Sequence, residues 1–300
     1  MINILKQILK KLLLIQVINL PVRKLLKLKP IASIVPKQYL DIIPVSGVIG
    51  FQLPNGKKIY FNADGNDLIV RELYWQGIDK FEGGTIQLFI KLLKNTHTFL
   101  DIGANTGLYS IIAALNSCDT QVYAFEPVPN ILPYLKSNAQ LNKVDNLQIC
   151  SSAVTNYNGE ITIYIPPDAI PTSASTQQGF REASKEISVP AVTVDSFTTI
   201  NGISKVDLMK IDTETTEHIV LEGAKKILER DKPVIICEVL NIQTEKYLQN
   251  ILERFDYKYF WISKEGLIEK EKIEGDKTCK ALNYLFIPKL KIQEVMSYMV

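Results

Sequence analysis

Four acids stand where apolar runs end: Asp101 within Thr98-Phe-Leu-Asp, Glu126 after Val122-Tyr-Ala-Phe, Asp212 after Leu208-Met-Lys-Ile, and Glu238 after Val234-Ile-Ile-Cys. Short apolar runs of this kind read as buried parallel strands. In an open α/β sheet, ligands bind in the crevice beyond the carboxyl ends of the strands. Carboxylates gathered there can grip hydroxyl and ammonium groups and accept protons. The stretch after Asp101 passes Gly103 and Gly107. It then takes up helical spacing at Leu108, Ile111, Ile112 and Leu115, so strand, glycine loop and helix follow one another.

The loop narrows the ligand. A dinucleotide fingerprint needs G-x-G-x-x-G, and here Asn105 stands two residues after Gly103, where a side chain crowds a pyrophosphate. A phosphate-binding P-loop needs Gly-Lys-Ser/Thr, and neither Gly103 nor Gly107 is followed by it. What remains is D-x-G-x-x-x-G. It suits a ligand with an ammonium group for Asp101 and a carboxylate for the loop N–H groups, as S-adenosylmethionine has. Glu126 lies 19 residues beyond Gly107, about where an acid grips a ribose hydroxyl pair. Ala153, in Ser152-Ala-Val154, falls at the end of the third strand, where the adenine is expected. The cofactor-binding set is therefore Asp101, Gly103, Asn105, Gly107, Glu126 and Ala153.

Asp101-x-Gly-Ala-Asn-x-Gly107 together with Phe125-Glu-Pro127 resembles the FkbM family of S-adenosylmethionine-dependent methyltransferases. Lys210-Ile-Asp-x-Glu214, Leu221-Glu-Gly-Ala224 and the strand ending in Glu238 extend the resemblance over residues 95–240. One departure is Glu214-Thr215, where the family commonly has Glu-Gly. The resemblance implies O-methylation of a hydroxyl on a sugar, glycan or other small natural product. Methyl transfer needs donor and acceptor in line and a group to take the acceptor's proton. Asp101 and Glu126 are assigned to the cofactor. Asp212 is left to orient or deprotonate the acceptor, with Glu238 second and Glu214 and His218 as further catalytic candidates. Each has a structural alternative. Glu214 and Glu217 lie near a helix start, where acids are favoured and Thr215 or Thr216 can cap. Lys210 can neutralise Asp212 as a structural pair, and a single His is commonly a surface residue. No metal ligand set is expected, although Asp212 and Glu214 have the chemistry to support a divalent ion.

The elements that must position these residues form a doubly wound, mostly parallel α/β sheet of Rossmann-like type over residues 96–290. A hairpin and helix subdomain precedes it at 41–95, and a basic helical extension at 1–40. Pro54-Asn-Gly56 between alternating apolar residues signals the hairpin. Pro166 to Gly179 reads as a lid over the substrate or a surface insertion. A helix is expected at 130–142 capped by Asn130, another at 217–229, and a charged hairpin-like loop at 265–277, most simply a solvated connection.

Residues 1–40 carry eight Lys/Arg and no acid, which leaves 26 basic against 32 acidic residues in the body. A mildly acidic body disfavours nucleic acid as partner. Residues 2–29 read as two helices separated by Pro21, the second with Val22, Leu25 and Leu26 opposite Arg23, Lys24 and Lys27. They rest either on anionic lipid, as a peripheral membrane contact, or on the domain or a twin subunit. The four cysteines, Cys118, Cys150, Cys237 and Cys279, show no C-x-x-C spacing and read as reduced thiols, so the expected location is cytoplasmic. Two further function classes compete: a nucleotide-sugar glycosyltransferase using Asp212-Thr-Glu214 on a metal, and a non-catalytic cofactor-binding scaffold.

Overall fold

The computed structural model describes residues 16–27, 40, 43–165, 185–241, 243–278 and 282–300. Residues 1–15 and 28–39 of the basic extension, the whole of the expected lid and Cys279 lie outside these residues. The chain divides between Phe81 and Glu82 into two compact units.

The first unit contains helix α1 (Gln16–Leu26), strands β1 (Ser46–Gln52) and β2 (Lys58–Asp64), and helix α2 (Leu68–Gln76). β1 and β2 pair antiparallel, with Gln52 opposite Lys58 across the Asn55-Gly56 turn. Asp67 caps α2 through the Val70 N–H at 2.9 Å. Two expectations are corrected here. Pro21, read as a separator, lies inside α1. A proline there removes a helical hydrogen bond, at a cost of about 3 kcal/mol. Side chains on both sides of it offset that loss: Asn19 Nδ2 donates to the Pro44 carbonyl at 2.8 Å and Arg23 Nη2 to the Ser46 carbonyl at 2.9 Å. The same bonds exchange two positions of the expected faces, while Lys24 and Lys27 stay exposed. Arg23 is 2% exposed, whereas Leu25 is 54% exposed. Among the described residues, no helix is long and apolar enough to cross a membrane.

The second unit runs through α3 (Thr85–Leu92), β3 (Thr98–Ile102), α4 (Leu108–Asn116), β4 (Gln121–Phe125), α5 (Leu132–Leu141) and β5 (Leu147–Cys150). It continues with β6 (Ala153–Val154), β7 (Gly159–Ile165), β8 (Lys185–Val192), α6 (Val194–Ile200), β9 (Leu208–Ile211), α7 (Glu217–Glu222) and α8 (Lys225–Arg230). β10 (Val234–Glu238), α9 (Glu245–Leu252), β11 (Tyr257–Ile262), β12 (Leu267–Lys270) and β13 (Asn283–Pro288) complete it.

The main sheet has the order β12-β11-β13-β10-β9-β3-β4-β5. The five strands from β10 to β5 are mutually parallel, and β13 joins β10 antiparallel. The chain winds from β3 outward to β5, then returns to β9 on the other side of β3. The switch point of this doubly wound, Rossmann-like sheet is therefore between β3 and β9.

Strand alternation sorts the site from the core. Leu100, Ile102, Met209, Ile211, Ile235, Cys237, Tyr284 and Phe286 point to one face. There they pack with Val220 and Leu221 of α7, Ile227 and Leu228 of α8, and Leu248 and Leu252 of α9. The intervening positions, Phe99, Asp101, Lys210, Glu238 and Asn283, point to the other. Phe99 meets Phe89 of α3 with ring centroids 5.0 Å apart.

Four local features go beyond the expected pattern of strands and helices. β6, β7 and β8 form a separate three-stranded sheet, because β8 pairs with both of the others and with no strand of the main sheet. The charged connection contains β12, held to β11 by backbone pairing and by a Lys258–Glu269 ion pair of 2.7 Å. The helix expected at 217–229 breaks into α7 and α8 at Gly223. A Cβ at Gly223 would stand 2.1 Å from the Thr155 carbonyl oxygen, so the backbones touch there. The Asp195 carboxylate then accepts from the N–H groups of Lys226 and Ile227 and starts α8 afresh. Asn130 lies in the turn before α5, whose first turn instead carries Pro133.

Candidate active site

The glycine loop folds around the tip of β4. Gly103 and Ala104 both donate to the Phe125 carbonyl, at 3.0 and 2.9 Å. The Asn105 N–H donates to Glu126 Oε2 at 2.9 Å, Thr106 N–H to Asn105 Oδ1 at 2.8 Å, and Gly107 N–H to the Ala104 carbonyl at 2.9 Å. Five successive N–H groups thus find acceptors within the protein. These bonds hold the loop's shape. Gly103 has φ +84°, and a Cβ there would lie 1.8 Å from the Asp212 carbonyl oxygen. This glycine lets the loop after β3 touch the end of β9 at the switch point.

Asp101 is 2% exposed. Its Oδ2 accepts from Ser110 Oγ at 2.5 Å, so it anchors the first turn of α4. Burial pushes its carboxyl up to about 6, opposed by the bonds from Ser110 and by the Lys210 charge. Glu126 is 4% exposed, and its two oxygens receive the N–H groups of Val128 at 2.8 Å and Asn105 at 2.9 Å. Burial pushes Glu126 up to about 7, against the pull of those two bonds. A carboxylate oxygen has a second lone pair, so Glu126 can hold the loop and still accept from a ribose hydroxyl pair. Ala153 is buried among Val128, Ile131, Ile163, Ile165 and Val189. Its side chain serves the core beneath the end of β5.

At the adjoining strand ends, Lys210 is 1% exposed and its Nζ lies 2.8 Å from Asp212 Oδ2, the pair foreseen from sequence. Burial opposes the Lys210 charge, but Asp212 and Glu82 raise its pKa overall. Tyr109 of α4 lies under the ammonium, 5.0 Å from ring centroid to Nζ. Its hydroxyl donates to Glu82 Oε2, which also accepts from Asn283 Nδ2 at 2.9 Å. Carboxylate oxygens of Asp212, Glu214 and Glu238 lie within 4.8 Å of one another. Burial, then the charges of Asp212, Glu214 and Glu217, lift Glu238 well above the usual carboxylate range.

The loop carrying Glu214 has an unusual backbone, with φ +53° at Glu214 and +83° at Thr215. Glu217 Oε1 clasps it, accepting from the N–H groups of Thr213 at 3.0 Å and Thr215 at 3.1 Å. Thr216 does not cap α7 with its side chain; its hydroxyl turns back to the Thr213 carbonyl at 3.1 Å. His218 does not join the acids. Its ring stacks on Tyr247 of α9 at 5.0 Å, and burial lowers its pKa. Glu82, Tyr109, Asn283 and the clasp by Glu217 escaped sequence reasoning. A lone Asn at the head of the apolar strand Asn283–Pro288 was the one available signal.

The family model described as the methyltransferase FkbM domain matches residues 101–259, more than half of the chain. The chain belongs to the FkbM methyltransferase family. Its cofactor is S-adenosylmethionine, which supplies an electrophilic methyl group when bound. The residues at the β3 and β4 tips fit this group through the lone pairs of Glu126 and the glycine-shaped loop beside it. Among curated proteins, a tRNA (guanine(37)-N(1))-methyltransferase of Heterostelium pallidum is 26% identical over 204 residues, spanning 63% of this chain and 45% of that protein. The 31-O-demethyl-FK506 methyltransferase FkbM of Streptomyces tacrolimicus is 25% identical over 202 residues, spanning 58% of this chain and 75% of that protein. The chain thus spans less than half the length of the first relative. Among solved structures, a methyltransferase FkbM from Methylobacillus flagellatus has 14% identity and a TM-score of 0.44, covering 75% of this chain and 54% of that one.

Proposed function

We infer that this FkbM-family methyltransferase methylates a hydroxyl oxygen of a sugar, glycan or other small natural product. The observation that carries this reading is the acidic group Asp212, Glu214 and Glu238, set beside the glycine loop by the contact of Gly103 with Asp212. In this reading Asp101, Gly103, Asn105, Gly107 and Glu126 form the cofactor side. Glu126 takes the ribose hydroxyls and Asp101 acts by holding α4. Asp212, with one oxygen fixed by Lys210, orients the acceptor hydroxyl, and Glu238, once ionised, receives its proton. Glu214 contributes a further acceptor oxygen. His218 drops out of the proton path because its ring is engaged with Tyr247.

An RNA base is the second acceptor class, favoured by the likeness to a tRNA methyltransferase. Isotope transfer separates them. The full chain is incubated with methyl-labelled S-adenosylmethionine and either hydroxylated glycans and natural products or total tRNA. Label in an alkali-stable ether, lost in Asp212→Asn, supports O-methylation; label entering only tRNA overturns it.

A further inference from the structure

We propose that Asp212, Glu214 and Glu238 form a binding site for a divalent cation of the hard, oxygen-seeking class, such as Mg²⁺, Mn²⁺ or Ca²⁺. This deepens the function proposed above and rests on it only for the purpose the ion serves.

The three acids bring carboxylate oxygens within 4.8 Å of one another at the ends of β9 and β10. Acidic side chains gather at many surfaces without an ion, so the gathering alone carries little. The decisive observation comes from a different strand. Asn283 of β13 is 4% exposed and its Oδ1 has no hydrogen-bond partner. Its Nδ2 donates to Glu82 at 2.9 Å, which sets the amide's orientation and leaves the carbonyl oxygen as the orphan. Asn283 stands directly opposite Glu238 in the antiparallel ladder, so both side chains rise from the same face of the sheet. Glu238 Oε2 is itself buried and without a partner.

When Glu238 is ionised, two buried oxygens at paired ladder positions without a donor are costly. Carboxylate and amide carbonyl oxygens are the ligand set that hard divalent cations take. Lys210 is the cation already present, but its Nζ lies on Asp212 Oδ2. An ion bound by Glu238, Asp212 and Glu214, on the sheet face that Asn283 shares with Glu238, gives the orphaned oxygens a positive partner. Such an ion also offers a coordination position to an acceptor hydroxyl oxygen, lowering that hydroxyl's pKa before its proton leaves.

Manganese is the probe, because its paramagnetic signal is lost on binding. The full chain is titrated with MnCl₂, without cofactor or acceptor, beside Glu238→Gln, Asn283→Ala and the exposed control Glu265→Gln. The expected result is one site with a dissociation constant at or below about 1 mM. It weakens at least about tenfold in Glu238→Gln and Asn283→Ala and is unchanged in the control. Thermal melts of the wild type with and without Mn²⁺ keep the test open where a variant fails to fold: the melting temperature rises with the ion. No saturable binding and no melting shift overturns the site, as does equal affinity in wild type and a folded Glu238→Gln, and a proton between Glu238 and Asn283 then takes its place. Hydroxyl methylation that persists undiminished in excess chelator removes the ion's role and leaves the proposed function standing. Mn²⁺ binding with label entering only tRNA does the reverse.

Discussion

Glu126 holds the glycine loop and the turn after β4 with one carboxylate, and its environment makes that hold pH-dependent. Burial lifts it to about 7 and Asp101 to about 6, above the ordinary carboxylate values near 4. The folded chain therefore keeps protons that the unfolded chain has released. Between about pH 4.5 and 7 these groups make stability fall as pH rises; below that window their penalty is absent, and above it complete. For Glu126 the effect is on the order of a few kcal/mol at most. We expect Glu126→Gln, neutral at every pH, to melt with a flatter pH dependence than the wild type between pH 5 and 8. An identical slope would remove Glu126 from the balance. Asp101 and Glu126 were legible in the sequence because a strand tip and a glycine loop are local features. Glu82 and Asn283, bonded to each other across 201 positions, were not. Only the winding of the sheet brings them together.

At the scale of elements, backbone contacts decide what side-chain patterns leave open. Gly103 has no room for a Cβ against the Asp212 carbonyl, and its φ favours glycine. Gly103→Ala is expected to destabilise the chain by about 3 kcal/mol or more, read from the urea midpoint. Thr215 stands at φ +83°, a conformation strained for a β-branched residue and held here by Glu217. We therefore expect Thr215→Gly to raise stability by about 1 kcal/mol in the same assay; a loss would show that the threonine side chain contributes more than its backbone costs. The alternation of strands and helices was readable from apolar spacing. The break at Gly223 was not, because its cause is the distant Thr155 carbonyl. The separate sheet of β6–β8 was likewise hidden, since strand spacing does not say which partner a strand takes.

Across the whole molecule, the second unit places four polar positions, Asp101, Lys210, Glu238 and Asn283, on one face of a sheet whose other face is core. The charge division between a basic extension and an acidic body was visible in composition. The burial of Arg23 in α1 was not, because it is drawn inward by the Ser46 carbonyl rather than by any property of the helix itself. The central claim is that the tips of β3 and β4 form an S-adenosylmethionine site in which Glu126 carries the ribose. Calorimetric titration of the full chain with S-adenosylhomocysteine, beside a folded Glu126→Ala, tests it most directly. Saturable binding by the wild type is expected, with at least about tenfold weaker binding by the variant. A folded wild type that does not bind, or equal affinity in the two proteins, would contradict it.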